Sequence, residues 1–432
     1  MIKSIIRTLW GDLTREDLGR FGLLAGVFFL IIGAYWTMRT MKNAIFMKVV
    51  GSAGLPYATM VTMIFMVVLV MIYAKLVDVM ERHKLLYVFA ITYGFVVLAI
   101  AYFINHPTIG IPNPVIGKFR LFGWFVFLAI ESFAMLAVTM FWSFVASSMD
   151  TVSAKRGYPI IFFVGQVGSL LGCMVGTRAT KIGLSKLLFF AALSIFLIPI
   201  LIKLFVKWYS TEPAGQVHEE KATGLVEGLR LLLTKPYVMG IFVVATIYEV
   251  INVIFEYQLN VLENYTYRSA SGVTEFEAIF GMMVNGLSLG FALLGTSFFL
   301  RNFGLRMCLV IYPITVACSI CGIWLFYGLW GVALGLAAIK GLSFALNNPT
   351  KEILYIPTSR DVKFKAKSWI DIFGNRFTKG LGSGINVMFP IMSNLLIFGS
   401  LISLGLISFW IAIAVYVGRK NHALVKEGKI IE

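Results

Sequence analysis

Long apolar runs recur along the whole sequence, and they constrain its fold more than any other feature. Each run exceeds about 18 residues, the length that an α-helix needs to cross the hydrocarbon core of a bilayer. Because lipid offers no hydrogen-bond partners to the backbone, such runs are expected to be helices and not open sheet. Only 13% of the 432 residues are charged, whereas soluble domains carry about 25%. The sequence therefore predicts an all-α integral membrane protein embedded in the lipid bilayer.

The apolar runs define twelve predicted transmembrane helices in two groups of six. The predicted spans are 21–40, 56–80, 84–104, 121–147, 158–177, 185–207, 237–261, 276–299, 306–327, 330–349, 366–391 and 394–417. A polar stretch separates the sixth span from the seventh, which predicts an N-terminal six-helix half at 1–209, a cytoplasmic linker at 210–235 and a C-terminal six-helix half at 236–432. Two related six-span halves are the plan of major-facilitator-like transporters.

The distribution of lysine and arginine predicts the orientation in the membrane. Basic residues gather at both termini and in the loops after even-numbered spans, such as Lys155 and Arg156, whereas the loops near 328–330 and 391–395 carry none. Cytoplasmic loops are the ones enriched in Lys and Arg, so both termini are predicted to be cytoplasmic. The same pattern accounts for the net charge of +16, and no binding of nucleic acid is expected.

The sequence lacks the motifs of soluble nucleotide and metal chemistry. It contains neither a G-x-x-x-x-G-K-[ST] phosphate loop nor an H-E-x-x-H metal helix. The four cysteines lie in apolar runs without ligand spacing, and we expect them to be small core residues and not disulfides or metal ligands: Cys173, Cys308, Cys318 and Cys321. No enzymatic activity, cofactor or metal site is expected.

Charged residues inside the spans are the candidate binding residues, because each costs roughly 2.5–3.5 kcal/mol to insert. They fall in spans one, four, seven and eleven: Arg39 and Lys42; Glu131; Glu249 and Glu256; Asp371, Arg376 and Lys379. Basic residues from two spans and acids from two others predict a central cavity between the halves. Such a cavity suits an anionic substrate, and phosphates are the obvious candidates.

Each group also has an explanation that needs no substrate. Arg39 and Lys42 stand at the end of their span and could extend to the membrane interface. Glu131 and the two acids of span seven could form structural ion pairs. Arg376 and Lys379 could serve only to neutralise such acids.

Three segments around the tenth and eleventh spans carry a specific resemblance. They read Asn348-Pro-Thr-Lys-Glu-Ile-Leu-Tyr-Ile-Pro357, Lys365-Ala-Lys-Ser-Trp-Ile-Asp371 and Thr378-Lys-Gly380. These segments resemble the ATP/ADP nucleotide transporter family of plastids and obligate intracellular bacteria, which shows D-P-T-K-E…Y-I-P, G-K-A…D and G-K-S-G-G blocks. The segment Arg39-Thr-Met-Lys42-Asn43 is similar to the R-x-x-K-D of that family, and the resemblance covers nearly the whole chain.

Members of that family exchange ATP for ADP, or import nucleotides with protons, and bind them through four charged residues. Matched motif by motif, these fall on Lys42, Glu131, Glu256 and Lys379. The resemblance implies a carrier, acting as a monomer in a bacterial inner membrane, that exchanges adenine nucleotides by alternating access. The lysines would bind the phosphates, and the two acids would pair with the lysines in the empty carrier.

Three other functions remain open at this point. The first is proton-coupled net import of nucleotides or of another phosphorylated anion. The second is a membrane sensor that keeps the fold without transport, and the third is a general drug or sugar carrier. The second predicts nucleotide binding without flux, or no binding at all, and the Lys351–Lys379 region argues against the third.

Overall fold

The computed structural model describes residues 15–148, 151–209, 225–294, 296–359, 362 and 366–431. The predicted linker lies outside the described residues up to position 224, and its remaining part forms a short helix at Leu225–Thr234. Also outside the described part are the basic residues of the first 14 positions, Lys365, and the side chains of Lys155 and Arg156.

Helices form at all twelve predicted spans. The first six are α1 Arg15–Val49, α2 Leu55–Val79, α3 Arg82–Phe103, α4 Leu121–Ser148, α5 Thr151–Gly176 and α6 Leu184–Tyr209. The next three are α7 Pro236–Thr266, α8 Ala270–Leu294 and α9 Thr296–Leu325. The helix α10 joins Leu329–Leu342 to Asn348–Leu354 through a π-helical segment at Ser343–Asn347. The helix α11 joins Lys367–Trp369 to Asn375–Met388 through a second one at Ile370–Gly374, and α12 is Met392–Glu427.

Nine of the helices in the described ranges are long and apolar enough to cross a membrane, namely α1 to α7, α9 and α12. Apart from one isolated bridge between Thr358 and Ile431, the described residues show no β-pairing. The chain is thus a multi-pass, all-α membrane protein, as the apolar runs predicted.

Several helices depart from their predicted spans by more than a few residues, among them α1 and α8. The first span was predicted to end at residue 40, but α1 continues to Val49. The charges at Arg39 and Lys42 interrupt the apolar run without interrupting the helix. The eighth span was predicted at 276–299, whereas α8 begins six residues earlier, at Ala270, and residues 296–299 already belong to α9. A glycine in the left-handed region, Gly304 with φ +71°, then bends α9.

The chain folds into two compact units. The first unit comprises Met1–Gly54, Ile64–Glu219 and Tyr267–Met282, and the second comprises Leu55–Met63, Glu220–Thr266 and Met283–Glu432. The halves predicted at 1–209 and 236–432 remain a prediction about domain organisation.

In the first unit, α1 packs against α4, α5 and α6, and α3 packs against α4 and α6. Small residues let α1 and α5 approach closely, as is common for helices packed in membranes. A Cβ atom added at Gly172 of α5 would lie only 2.4 Å from the carbonyl oxygen of Gly33 in α1. Replacement of this glycine would therefore force the two helices apart.

In the second unit, α7 packs against α10, α11 and α12, and α9 packs against α10 and α12. A buried hydrogen-bond chain fixes the ends of three of these helices. Asn421 of α12 donates to the hydroxyl of Tyr237 at 2.8 Å, and that hydroxyl donates to the carbonyl of Leu354 at 2.8 Å. The chain thereby links α12, α7 and α10 without any charged group.

All four cysteines are free. Cys173 and Cys308 are buried, as expected for small core residues. Cys318 and Cys321 are exposed on α9, so the prediction that they belong to the core was wrong. The apolar character of a transmembrane run does not distinguish its packed face from its outer face, because lipid is as apolar as the protein core.

Candidate functional site

The first intramembrane ion pair joins α1 to α4. The ammonium group of Lys42 donates to the carboxylate of Glu131, and Lys42 is only 8% exposed. Its Nζ also lies 4.3 Å from the centroid of the Phe127 ring, one helical turn before Glu131. A negative charge on one side and an aromatic face on another are both favourable surroundings for a buried ammonium. Lys42 therefore lies inside the protein and does not extend to the interface.

Arg39, the other predicted cation of α1, contacts aromatic side chains of its own helix. Arg39 donates to the hydroxyl of Tyr35 at 2.9 Å, and its guanidinium lies 5.1 Å from the Trp36 ring centroid. Beside Glu131, the hydroxyl of Ser132 is buried and accepts a hydrogen bond from Tyr93 of α3 at 2.8 Å. These contacts fix the helix faces that bring Lys42 and Glu131 together.

The two acids of α7 contact two different lysines. Glu249 lies 3.6 Å from Nζ of Lys379 in α11, with both side chains partly accessible. Glu256 lies 3.2 Å from Nζ of Lys340 in α10. Seven residues separate the two acids, so they share one helix face but lie about 10 Å apart along it, and each contacts a different lysine.

Lys340 is the residue of this site that sequence reasoning missed. It is 8% exposed and stands in the apolar run Ala337-Ala-Ile-Lys340-Gly-Leu342. The signal was present, because a lone lysine within a span meets the same criterion that selected Glu131. Its partner Glu256 also accepts a hydrogen bond from Asn252 one turn earlier, at 3.4 Å.

Asp371 lies in a different group of charges, at the junction of α10 and α11. Lys367 contacts Glu352 at 2.6 Å, and Asp371 interacts electrostatically with both of them and with Lys351. These four residues form what we call the junction cluster. Lys351 also interacts with Glu249, so the cluster is electrostatically connected to the Lys379 pair.

Arg376 is half-buried on α11, three residues before Lys379. The described contacts place the predicted residues in four groups: Lys42 with Glu131, Glu249 with Lys379, Glu256 with Lys340, and Asp371 in the junction cluster. Arg39 and Arg376 each lie three residues before one of these lysines, Lys42 and Lys379. The motif segment at 348–371 that carries the resemblance contributes chiefly to the junction cluster and not to the buried pairs.

The lysine–glutamate pairs can bind an anion by exchange of partners. Each lysine is neutralised by a carboxylate while no other anion is present. A phosphate group offers more acceptor oxygens than a carboxylate, and it can form charge-assisted hydrogen bonds with the same ammonium. Within the described residues, no group of His, Cys, Asp and Glu side chains could hold a metal ion. The arrangement of lysines beside carboxylates suits the binding of an anion.

Comparison with known proteins agrees with the resemblance read from the motifs. A family model described as TLC ATP/ADP transporter matches residues 331–420. The ADP,ATP carrier protein 3 of Rickettsia conorii is 20% identical over 95% of this chain and 95% of its own length. The ADP,ATP carrier protein 3 of Rickettsia bellii is 22% identical over 96% of this chain and 95% of its own length. The ADP,ATP carrier protein 1 of Rickettsia conorii is 22% identical over 90% and 89%.

Solved structures of transporters share the fold. The nucleoside transporter NupG aligns with a TM-score of 0.63 at 14% identity, covering 93% of this chain and 99% of its own. A bacterial homologue of the iron transporter ferroportin, in an inward-facing state, gives 0.65 at 9% identity over 94% and 100%. A POT family transporter in complex with 5-aminolevulinic acid gives 0.61 at 13% identity over 94% and 96%. The predicted resemblance and the predicted major-facilitator-like fold are both confirmed.

Proposed function

We propose that this protein exchanges ATP for ADP across a membrane by alternating access. The observation that carries the proposal is the set of three lysines on α1, α10 and α11, each against a glutamate: Lys42 with Glu131, Lys340 with Glu256, and Lys379 with Glu249. A buried charge is costly unless it has a function or a partner. Here every lysine has a partner that a phosphate can replace.

The nature of the substrate is inferred from the relatives. The Rickettsia proteins that align with nearly the whole chain are named ADP,ATP carriers, and the matching family model bears the same description. A nucleotide carries several phosphate groups, so it can satisfy more than one lysine at once. We infer a carrier of the bacterial inner membrane with both termini in the cytoplasm, in which one chain is sufficient for transport.

The mechanism follows from the exchange of partners at the lysines. When a nucleotide binds, its phosphates take the ammonium groups, and the glutamates lose their cations. Nucleotide binding then favours the conformation in which the glutamates are released over the one in which they are paired. A ligand shifts a conformational equilibrium in this way whenever it binds the two conformations with different affinities. Exchange results when the empty carrier, with its lysines paired to glutamates, does not reorient.

The test is uptake of radiolabelled ATP into proteoliposomes that contain the purified protein. Vesicles preloaded with ADP should take up ATP, and empty vesicles should not. Lys379→Ala should reduce uptake at least tenfold, because a charge-assisted hydrogen bond contributes about 1.5–3 kcal/mol. Lys429→Ala is the matched control, since Lys429 pairs with a carboxylate at the exposed end of the chain.

Two results would contradict the proposal. Equal uptake into empty vesicles that stops when an uncoupler is added would identify proton-coupled net import. The absence of uptake for any nucleotide would exclude a nucleotide carrier, although the fold would be unaffected.

A further inference from the structure

Lys340 has no counterpart among the four charged residues that the family resemblance identifies. It lies in α10 between apolar neighbours, and its Nζ is held by Glu256 at 3.2 Å. A lysine buried to this degree costs free energy that a purely apolar residue would not. We therefore consider a role for Lys340 in binding the substrate.

Two acids on one face of α7 each contact a lysine of another helix. Glu249 contacts Lys379, and Glu256 contacts Lys340 seven residues further along. Seven residues correspond to almost two full turns, so the two acids point in nearly the same direction and lie about 10 Å apart along the axis. The two lysines come from different helices, α11 and α10.

The two lysines differ in accessibility. The side chain of Lys379 is 46% exposed, whereas that of Lys340 is 10% exposed. The contact of Lys379 with its acid is also longer, 3.6 Å against 3.2 Å. Lys379 is therefore the more accessible of the two lysines to an anion. An anion bound there reaches Lys340 only if it extends further along the face of α7.

The surroundings of Glu256 reduce the cost of releasing Lys340. Asn252 donates a hydrogen bond to the Glu256 carboxylate at 3.4 Å, so this carboxylate keeps a donor when its lysine turns to another anion. The side-chain oxygen of Asn252 is itself buried and has no hydrogen-bond partner within the described part of the chain.

We propose that Lys340 and Lys379 together measure the length of the phosphate chain. Lys379 binds the phosphates that di- and triphosphates share, and Lys340 binds the terminal phosphate of the triphosphate. Lys340 thus determines the preference between ATP and ADP. This inference rests on the proposed function, and it adds a residue and a basis for discrimination that the resemblance does not supply.

The experiment measures binding of ATP and of ADP to the purified full-length chain in nanodiscs by calorimetry. Lys340→Gln should raise the Kd for ATP about tenfold, the effect of one charge-assisted hydrogen bond, and the Kd for ADP less than threefold. Glu256→Gln keeps Lys340 and removes its competitor, so it should lower the Kd for ATP relative to the Kd for ADP. Lys429→Gln, far along the chain and exposed, is the control and should change neither.

The outcomes separate this inference from the proposed function. If the unmodified protein binds neither nucleotide, both are refuted. If it binds both, and Lys340→Gln weakens ATP and ADP by the same factor, Lys340 is only a structural partner of Glu256. Should Lys340→Gln fail to elute as a folded protein, Glu256→Gln decides, because an equal effect on the two nucleotides overturns the inference.

Discussion

The pair of Lys42 and Glu131 gives a direct measure of how strongly charges interact inside this protein. We consider the variants Lys42→Gln and Glu131→Gln, alone and combined. Either single variant leaves one charged group buried without its partner, and the double variant removes both charges. The free energy of unfolding should therefore fall more for the two single variants together than for the double variant. The difference is the coupling energy of the pair.

The magnitude follows from the burial of the two side chains. Removal of one partner from a fully buried pair costs about 3–5 kcal/mol. The Lys42 side chain is nearly buried, but that of Glu131 is 29% exposed, so water reduces the penalty. We expect a coupling energy of about 2 kcal/mol. The contact of Lys42 with the Phe127 ring is lost in both variants that lack the lysine, and it cancels in the cycle.

The assay is unfolding of the purified protein in mixed micelles with increasing dodecyl sulfate, followed by tryptophan fluorescence. The control cycle uses Glu81 and Lys84, which lie 3.2 Å apart with more than half of each side chain exposed. Exposed pairs of this kind contribute about 0.5 kcal/mol or less. A coupling energy for Lys42 and Glu131 no larger than that of the control pair would refute the reasoning.

Two further predictions concern packing and buried hydrogen bonds. Gly172→Ala should destabilise the protein by about 1–3 kcal/mol in the same unfolding assay, because the new Cβ would meet the backbone of α1. Gly22→Ala, where no atom lies within 4 Å of the new Cβ, should instead be neutral or slightly stabilising, and equal effects would contradict this explanation. Asn421→Ala should cost about 1–2 kcal/mol through the loss of its bond to Tyr237, and it should cost almost nothing more in a Tyr237→Phe background.

The helices could be predicted from the sequence because bilayer thickness sets a length that any apolar span must reach. The boundaries could not be predicted equally well. The helix α1 continues past residue 40 because Lys42 is neutralised inside the protein by Glu131, a residue 89 positions away in the chain. A method that reads only local hydropathy ends the span at the first charges. The π-helical segments of α10 and α11 likewise leave no signal in the apolar pattern.

The charged residues could be selected from the sequence, but not all of their partners. The free-energy cost of placing a charge in a membrane span identifies Glu249, Glu256 and Lys379 as unusual, whatever their partners are. Periodicity places both acids on one face of α7, yet it does not say whether α10 or α11 faces each of them. That depends on how the helices pack, and the packing brings Lys340 to Glu256. Asp371 shows the opposite case, since it was selected together with Lys379 in span eleven and the fold places it in the junction cluster.

The paired state of the lysines determines what the substrate must supply. Each lysine already has a carboxylate, so an anion gains only the difference between its own contacts and those it replaces. A nucleoside without phosphates has nothing to offer Lys379 or Lys340, and it should therefore bind poorly. Release of the glutamates adds to the free-energy cost of binding, because a partly buried carboxylate that loses its lysine is less stable. Selectivity for polyphosphates therefore depends on the acids as much as on the lysines, and glutamate variants report on it most directly.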